Sequence, residues 1–244
     1  MGPRPNKSRP PRIPQHKGRN AMQHGKLIVI EGLDGSGKAT QAQQLLDRVQ
    51  QEGMWARKVS FPNYDDPSST LVKMYLSGEL GGLEEVNAYA ASSFFSVDRY
   101  ASWQRYLRRD YEQGCLFIAD RYTTSNMAHQ TTKEPRERWD SYLEWLEDLE
   151  YNKMGLPRPD RVIYLDVEPE VSRRLLMQRY DGDATREDIH EANFQYLLQC
   201  RQAALYAAQK FGWQVIPCCG PQGLLSIPEV AELVWQAAQP VLTR

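Results

Sequence analysis

Short, mostly apolar runs alternate along this chain with longer stretches in which apolar residues recur every three or four positions. The short runs predict buried β-strands at 27–30, 55–61, 115–119, 161–167 and 213–217. The longer stretches predict helices at 41–53, 69–80, 83–112, 139–151, 168–179, 191–211 and 228–241. Parallel strands that are covered on both faces carry continuous rather than alternating apolar residues. The pattern therefore predicts an α/β fold with a parallel sheet of about five strands and helices on both faces.

The length and composition predict one domain, preceded by a different kind of segment. The chain has 244 residues, of which 41% are hydrophobic and 25% charged, enough for a single substantial core. We expect this domain to span 25–244. Residues 1–24 hold six basic residues, five prolines and no acidic residue, which predicts a disordered basic tail. A nucleic-acid arm, a transit peptide, a dispensable extension and a later start at Met22 all remain open for the tail.

The charge and the cysteines of the chain indicate which kinds of partner, compartment and metal site to expect. Without the six positive charges of the tail, the formal net charge falls from −1 to −7. An acidic body argues against nucleic acid as a partner, and no apolar run reaches the roughly 18 residues of a membrane span. The four cysteines, at 115, 200, 218 and 219, lack zinc-type spacing. We therefore expect reduced thiols, a cytoplasmic location and no metal site made by protein side chains alone.

The segment 27–40, LIVIEGLDGSGKAT, predicts a phosphate-binding loop between a strand and a helix. Gly32, Gly35 and Gly37 permit a tight backbone whose amides curl around phosphate oxygens, and the helix dipole adds to the attraction. Lys38 stands where the lysine of G-x-x-x-x-G-K-[ST] meets the β and γ phosphates. A glycine-rich turn without a ligand is the alternative, but strand, spacing, lysine and helix all agree on nucleotide binding.

One position of this loop departs from the pattern. Ala39 replaces the Ser or Thr whose hydroxyl usually helps to hold Mg²⁺, and Thr40 comes one residue late. The expected ATP-binding residues are Gly32, Asp34, Gly35, Ser36, Gly37, Lys38, Ala39 and Thr40.

The third predicted strand ends in Asp120-Arg121, beside the phosphate loop if the sheet is parallel. Ligands bind beyond the carboxyl ends of such strands. The carboxylate of Asp120 can orient Mg²⁺ or its water, and the guanidinium of Arg121 can grip a phosphate through two hydrogen bonds. A structural ion pair is the alternative. For Asp166, at the end of the fourth strand, we favour a capping and turn role.

Five motifs together resemble the thymidylate kinase family, which consists of P-loop nucleoside monophosphate kinases. They are EGLDGSGKATQ, FPNY, SFFSVDRY, DRYTTSN and YLDVEPE, in the order and near the spacing of that family over about 26–240. The resemblance implies a P-loop NTPase-type three-layer sandwich with a short mobile lid at about 179–188. It also implies transfer of the γ-phosphate of ATP to dTMP, with Mg²⁺ held mainly by the ATP phosphates and water near Asp34 and Asp120.

The resemblance assigns a dTMP site to this chain. Phe95 would stack on thymine and Arg99 would donate to its exocyclic oxygen. Since they lie four positions apart on a predicted helix, they share a face; a core aromatic is the alternative for Phe95. Asp34 would contact the sugar 3′-hydroxyl, Asn126 would lie beside base and sugar, and His129, where tyrosine or phenylalanine is common, would lie near the sugar.

The phosphate end of the site follows from the same resemblance. Phe61 and Tyr64 would line the monophosphate pocket and Arg121 would bind the acceptor phosphate. The phosphate loop contains no arginine, so a catalytic arginine should come from the lid. The candidates are Arg179 and Arg186, with Arg173 and Arg174 on the helix that leads in. A solvated charged loop is the alternative for this lid.

A homodimer is also implied by the resemblance. The apolar residues of the predicted helix 83–112 exceed what one sheet face needs, and a helix-to-helix interface would use Phe94, Val97, Tyr100, Ala101 and Trp103. Two other functions stay open. One is a related deoxynucleoside or other nucleoside monophosphate kinase, which a panel of acceptors would distinguish. The other is a non-catalytic nucleotide-binding regulator, suggested by Ala39, which would bind ATP without acceptor-dependent ADP release.

Overall fold

A computed structural model describes residues 24–179, 194–220 and 223–243. Five parallel strands form one sheet in the order β2-β3-β1-β4-β5. They are β1 (Lys26–Gly32), β2 (Ala56–Ser60), β3 (Leu116–Asp120), β4 (Arg161–Asp166) and β5 (Gln214–Pro217). The predicted α/β class and five-stranded parallel sheet are confirmed. All but the last residue of the expected tail, and all but the first residue of the expected lid, lie outside the described residues.

The helices cover both faces of this sheet. They are α1 (Lys38–Gln51), α2 (Thr70–Leu76), α3 (Ala88–Ser102), α4 (Arg108–Glu112), α5 (Thr123–His129), α6 (Trp139–Glu147), α7 (Pro169–Arg179), α8 (Phe194–Phe211) and α9 (Ile227–Leu242). Short 3₁₀ turns occupy Pro67–Ser69, Thr131–Lys133 and Arg136–Arg138, and π-helical turns occupy Trp103–Leu107 and Asp148–Lys153. A two-stranded hairpin, β6 (Cys219–Gly220) with β7 (Gly223–Leu224), follows β5.

The continuous apolar run of β1 has a direct structural cause. Leu27 and Val29 point into a core formed with the helices α3, α5, α6 and α8, whereas Ile28 and Ile30 point into a second core formed with α1 and α9. Because successive side chains of a strand alternate between faces, every position of β1 after Lys26 is buried.

Three details differ from the sequence predictions. The pattern at 83–112 is not one helix, because Asn87 caps α3 through a bond from the Ala90 amide and a π-helical turn separates α3 from α4. Helix α5 was not predicted, since Thr, Ser, Asn and His favour helices only weakly. The carboxylate of Asp166 pairs with Arg201 of α8 at 2.7 and 3.0 Å, so the expected capping role was wrong.

The sheet register brings the candidate chemistry to one edge. Ile30 of β1 and Ser60 of β2 both pair with Asp120 of β3, and Gly32 pairs with Leu165 of β4. The carboxyl ends of these strands therefore meet beside the loop that follows β1. Within the described ranges, no helix combines the length and hydropathy needed to cross a membrane.

Candidate active site

The loop between β1 and α1 is closely packed on one side and open on the other. Gly35 has a φ of 81°, and a Cβ there would collide with the carbonyl oxygen of Ser172 on α7. Gly37 has a φ of 86° and precedes α1 without a side-chain cap, and a Cβ on it would meet nothing within 4 Å. The start of α1 thus lacks a side-chain cap, and uncapped amides at a helix N-terminus suit a bound anion.

Two polar side chains of the loop are suited to a phosphate ligand. Lys38 is 7% exposed, and its Nζ donates to the Leu33 carbonyl at 2.8 Å. The Oγ of Ser36 is buried and has no hydrogen-bond partner among the described residues. Since a buried unpaired hydroxyl is costly, a phosphate oxygen over the loop would satisfy it. Ala39 and Thr40 are exposed on the first turn of α1.

Arg121 lies directly after β3 in an unusual backbone conformation. Its φ is 70°, a left-handed value that is uncommon outside glycine and recurs at functional sites. The Nη2 of Arg121 donates to the Asp34 carboxylate, and Nη1 lies 3.8 Å from Glu31. The Nζ of Lys38 is 3.8 Å from the same Asp34 oxygen. The phosphate loop and the end of β3 thus form one charged cluster, as the sequence predicts.

The charged side chains of this cluster shift one another's pKa values. Burial opposes ionisation of Asp34, but Arg121 and Lys38 outweigh it and hold the pKa of that carboxyl well below its ordinary value. Burial also works against the charge of Arg121, yet Asp34 and Glu31 raise its pKa. Burial and the charge of Arg121 lower the pKa of Lys38. The two cations are therefore balanced by carboxylates until an anionic ligand enters.

Glu31, the penultimate residue of β1, ties this cluster to helix α5. Its carboxylate is fully buried and accepts from Thr124 Oγ1 at 2.8 Å, Ser125 Oγ at 2.7 Å and the Gly32 amide at 3.1 Å. We did not single out Glu31 from the sequence as a site residue. The sequence signal for Glu31 was a charged residue that directly follows the four apolar positions 27–30.

His129 ends helix α5 beside Arg121. Its Nε2 is 3.4 Å from Arg121 Nη1, and its Nδ1 is 3.5 Å from Cys200 Sγ. Burial, followed by the charge of Arg121, lowers the pKa of His129 to about 3. The imidazole is therefore neutral at physiological pH and adds no third positive charge next to Arg121.

Asp120 is the carboxylate of this edge best suited to a metal ion. Its side chain makes no hydrogen bond within the described part of the chain, whereas both oxygens of Glu31 and Oδ1 of Asp34 are already engaged. Mg²⁺ prefers oxygen ligands and retains several waters, so Asp120 and Asp34 fit an ion carried by a nucleotide. The described residues contain no group of three or more His, Cys, Asp or Glu that could hold a metal by themselves.

The predicted base-binding residues Phe95 and Arg99 lie on helix α3, and Phe61, predicted for the monophosphate pocket, directly follows β2. Phe95 is half-buried and meets the ring of Tyr75 edge-on at 6.2 Å. Arg99 is 2% exposed, and its guanidinium lies 5.8 Å from the ring centre of Phe61 and 5.5 Å from that of Tyr122. Arg99 thus lies beside two aromatic rings, and its role in binding a base stays a prediction.

The loop that carries Tyr64 is fixed to α3 by a buried carboxylate. Asp98 accepts from the Asn63 amide at 2.9 Å and from Ser68 Oγ at 2.6 Å. Tyr64 itself is 48% exposed, at the side of the cluster formed by Asp34 and Arg121. Sequence reasoning missed Asp98, although it adjoins the predicted Arg99.

Asn126 is buried on α5 and bonds to a residue that the sequence did not reveal. Its Nδ2 is 3.3 Å from the Ser92 carbonyl and 3.4 Å from Oε1 of Glu150. Glu150 is fully buried and also binds both Nε and Nη2 of Arg99, at 2.7 and 2.8 Å. Nothing in the sequence distinguishes Glu150 from Glu144 and Glu147 of the same amphipathic segment.

The lid assignment stays a prediction. Arg186 lies outside the described residues, and Arg179 is the last residue of α7, with its side chain outside the description. Arg173 and Arg174 lie on α7, as expected. Helix α7 touches the phosphate loop through Ser172 Oγ, which donates to the Asp34 carbonyl.

Comparison with known proteins agrees with this arrangement. The family model for thymidylate kinase matches residues 30–221. The chain is 30% identical to a thymidylate kinase of Danio rerio, covering 80% of this chain and 84% of that protein. It is 31% identical to one of Mycobacterium tuberculosis, covering 78% and 90%. A solved thymidylate kinase structure from Candida albicans superposes with a TM-score of 0.64 at 24% identity, covering 89% of this chain and 92% of that one, which supports the fold. This chain belongs to the thymidylate kinase family.

Proposed function

We propose that this protein transfers the γ-phosphate of ATP to dTMP, giving ADP and dTDP. The observation that carries the proposal is the contact between Arg121 and Asp34, which joins the phosphate loop to the end of β3. In this arrangement a donor phosphate on the loop and an acceptor phosphate on Arg121 would lie side by side. The family motif EGLDGSGKATQ contains the donor loop, and the family motif DRYTTSN contains Arg121.

The donor end would be formed by the loop. Its amides, Lys38 and the unpaired hydroxyl of Ser36 would bind the phosphates of ATP. Asp120 and Asp34 would orient the waters of a Mg²⁺ ion carried by the nucleotide, and such an ion neutralises charge on the transferred group. Ala39 does not disqualify this site, because Mg²⁺ can be held by phosphates and water.

The acceptor end would be formed by Arg121 and the loop after β2. Entry of dTMP would replace the Asp34 carboxylate on Arg121 by a phosphate, and would free Asp34 for the sugar 3′-hydroxyl. Phe61 and Tyr64 would border the phosphate, and Phe95 would stack on the base. Since a nucleotide phosphate is already an adequate nucleophile, the residues contribute positioning and charge compensation.

We further propose a lid arginine, a homodimer and a cytoplasmic location. Arg179 or Arg186 would close over the donor, where exclusion of water suppresses hydrolysis. For the dimer, Val97 and Tyr100 of α3 are 46% and 40% exposed, which supports that helix as an interface. Trp103 does not contribute, because it is buried in the protomer's own core. All four cysteines carry free thiols, consistent with a reducing compartment.

The test is a panel of acceptors assayed by ADP release. Purified protein with ATP and Mg²⁺ should turn over dTMP faster than dUMP, dCMP and dGMP, and a Lys38→Ala variant prepared identically should be inactive. Faster turnover of a nucleoside or of dCMP would identify a related kinase instead. Binding of ATP without any acceptor-dependent ADP release would identify the non-catalytic regulator.

A further inference from the structure

Glu150 is a buried carboxylate that joins the two helices of the base pocket. It has no exposed surface and lies in the π-helical turn Asp148–Lys153 after α6. From α3 it receives Arg99 and Ser96, the latter at 2.7 Å, and from α5 it receives Thr123 at 2.5 Å. Turns of the π type are rare and occur frequently at functional sites, and this one delivers the only carboxylate that contacts Arg99 within the described residues.

This contact fixes which edge of Arg99 is left for a ligand. Nε and Nη2 both point at Glu150, and two parallel bonds between a guanidinium and a carboxylate hold the plane of the guanidinium. Nη1 makes no hydrogen bond to the described residues. Arg99 is therefore held as a donor with one free edge, beside the rings of Phe61 and Tyr122.

The contact between Arg99 and Glu150 also neutralises the charge of both side chains and occupies the acceptor sites of the Glu150 carboxylate. Oε1 receives Ser96, Arg99 and Asn126, and Oε2 receives Arg99 and Thr123. A carboxylate offers about four lone-pair sites, so both oxygens are filled. An amino group on a ligand would therefore face the donor edge of Arg99, and Glu150 has no acceptor left to offer it.

We propose that Glu150 is a positioning and specificity residue, which holds Arg99 so that the site accepts a neutral pyrimidine with a 4-oxo group and rejects one with a 4-amino group. This inference rests on the proposed function and adds to it the cause of base selection. The 4-oxo group of dTMP would accept from Nη1 of Arg99. The 4-amino group of dCMP would place a donor against that donor, and sites built around a specific hydrogen bond reject mismatched ligands strongly.

The test is a mutant cycle with the full-length protein, in which dTMP, dCMP and ATP kinetics and melting temperature are measured for each variant. The variants are Glu150→Gln, Arg99→Gln and the double variant, and Glu147→Gln is the matched control. Glu147 is an acidic residue one turn earlier that pairs with Arg158, away from the base pocket. Thr123→Val removes one donor to Glu150 at nearly constant volume.

We expect Glu150→Gln to raise the KM for dTMP by about 10- to 100-fold, as for the loss of a charge-assisted hydrogen bond. The KM for ATP should stay within about twofold, and the preference for dTMP over dCMP should shrink. Because Glu150 acts through Arg99, the double variant should resemble Arg99→Gln alone. Glu147→Gln should leave both KM values unchanged. If Glu150→Gln does not fold, Thr123→Val should still raise the KM for dTMP by about 3- to 10-fold.

Parallel changes in the KM for dTMP and ATP, or additive effects of Glu150→Gln and Arg99→Gln, would overturn the role of Glu150, as would an unchanged dTMP preference in Glu150→Gln. If Glu150→Gln does not fold, parallel changes in the KM for dTMP and ATP in Thr123→Val, or an unchanged KM for dTMP, would overturn the role of Glu150 instead. A wild-type protein that does not phosphorylate dTMP would instead refute the proposed function, whatever the variants do.

Discussion

The protonation of His129 decides how many positive charges surround the acceptor phosphate, and it can be tested through stability. The pKa of His129 is lowered from an ordinary 6.5 to about 3 by burial and by the charge of Arg121. Between these two values the unfolded chain binds a proton that the folded chain does not. Stability therefore decreases as the pH falls through this window, and it is fully present above 6.5.

The magnitude follows from the two pKa values. Lowering the pH from about 7 to about 5 should cost the wild-type protein about 2 kcal/mol of folding free energy through this one residue. We propose urea denaturation at both pH values for the wild type, for His129→Phe and for His24→Gln. His129→Phe keeps a buried ring without a titrating group, whereas His24 is exposed and serves as the control.

The wild type and His24→Gln should lose about 2 kcal/mol more than His129→Phe over this interval. An equal loss of unfolding free energy in the wild type and in His129→Phe would contradict the lowered pKa of His129, because the imidazole would then be as basic in the folded protein as in the unfolded chain. In that event the acceptor site would carry a third positive charge at mildly acidic pH.

Three further predictions concern the metal, the assembly and the base. Kinase activity should require Mg²⁺, and full activity in excess EDTA would contradict this requirement. Ala39→Ser should change the rate by less than about tenfold, whereas Asp120→Ala should remove most of the activity. Light scattering should give twice the chain's 28.1 kDa, and Val97→Glu should shift the mass toward that of one chain; a wild-type mass near 28.1 kDa would exclude the dimer. Arg99→Ala should lower kcat/KM for dTMP by roughly 10- to 150-fold at unchanged ATP affinity. It should also cost about 3 kcal/mol or more of stability, because the buried charge of Glu150 loses its counter-charge; an unchanged melting temperature would argue against the buried pair.

The sheet could be predicted because its signal is local. Ile28 and Val29 face different cores, so a strand that is buried on both faces shows consecutive apolar residues in the sequence. The phosphate loop was equally readable, since the spacing of its glycines and Lys38 is a local requirement of the ligand. Arg121 could be placed because the carboxyl ends of neighbouring parallel strands meet at one edge.

The details that the sequence did not predict depend on distant partners. Glu150 bonds to Arg99 across 51 positions, and no local pattern separates it from solvated glutamates of the same helix. The carboxylate of Asp166 was expected to cap a helix, but it accepts two hydrogen bonds from Arg201 of α8 instead. The left-handed backbone at Arg121, whose amide donates to the Ile30 carbonyl of β1, likewise leaves no trace in composition.

Transfer of the phosphate from ATP to dTMP is tested most directly by following the phosphate itself. The protein should be incubated with ATP labelled in its γ-phosphate, with Mg²⁺ and dTMP, and the nucleotides should be separated and identified by mass. We predict that the label passes into dTDP at a rate that depends on the dTMP concentration, and that Lys38→Ala abolishes this transfer. Label that appears only as inorganic phosphate, or that passes to dCMP faster than to dTMP, would contradict it.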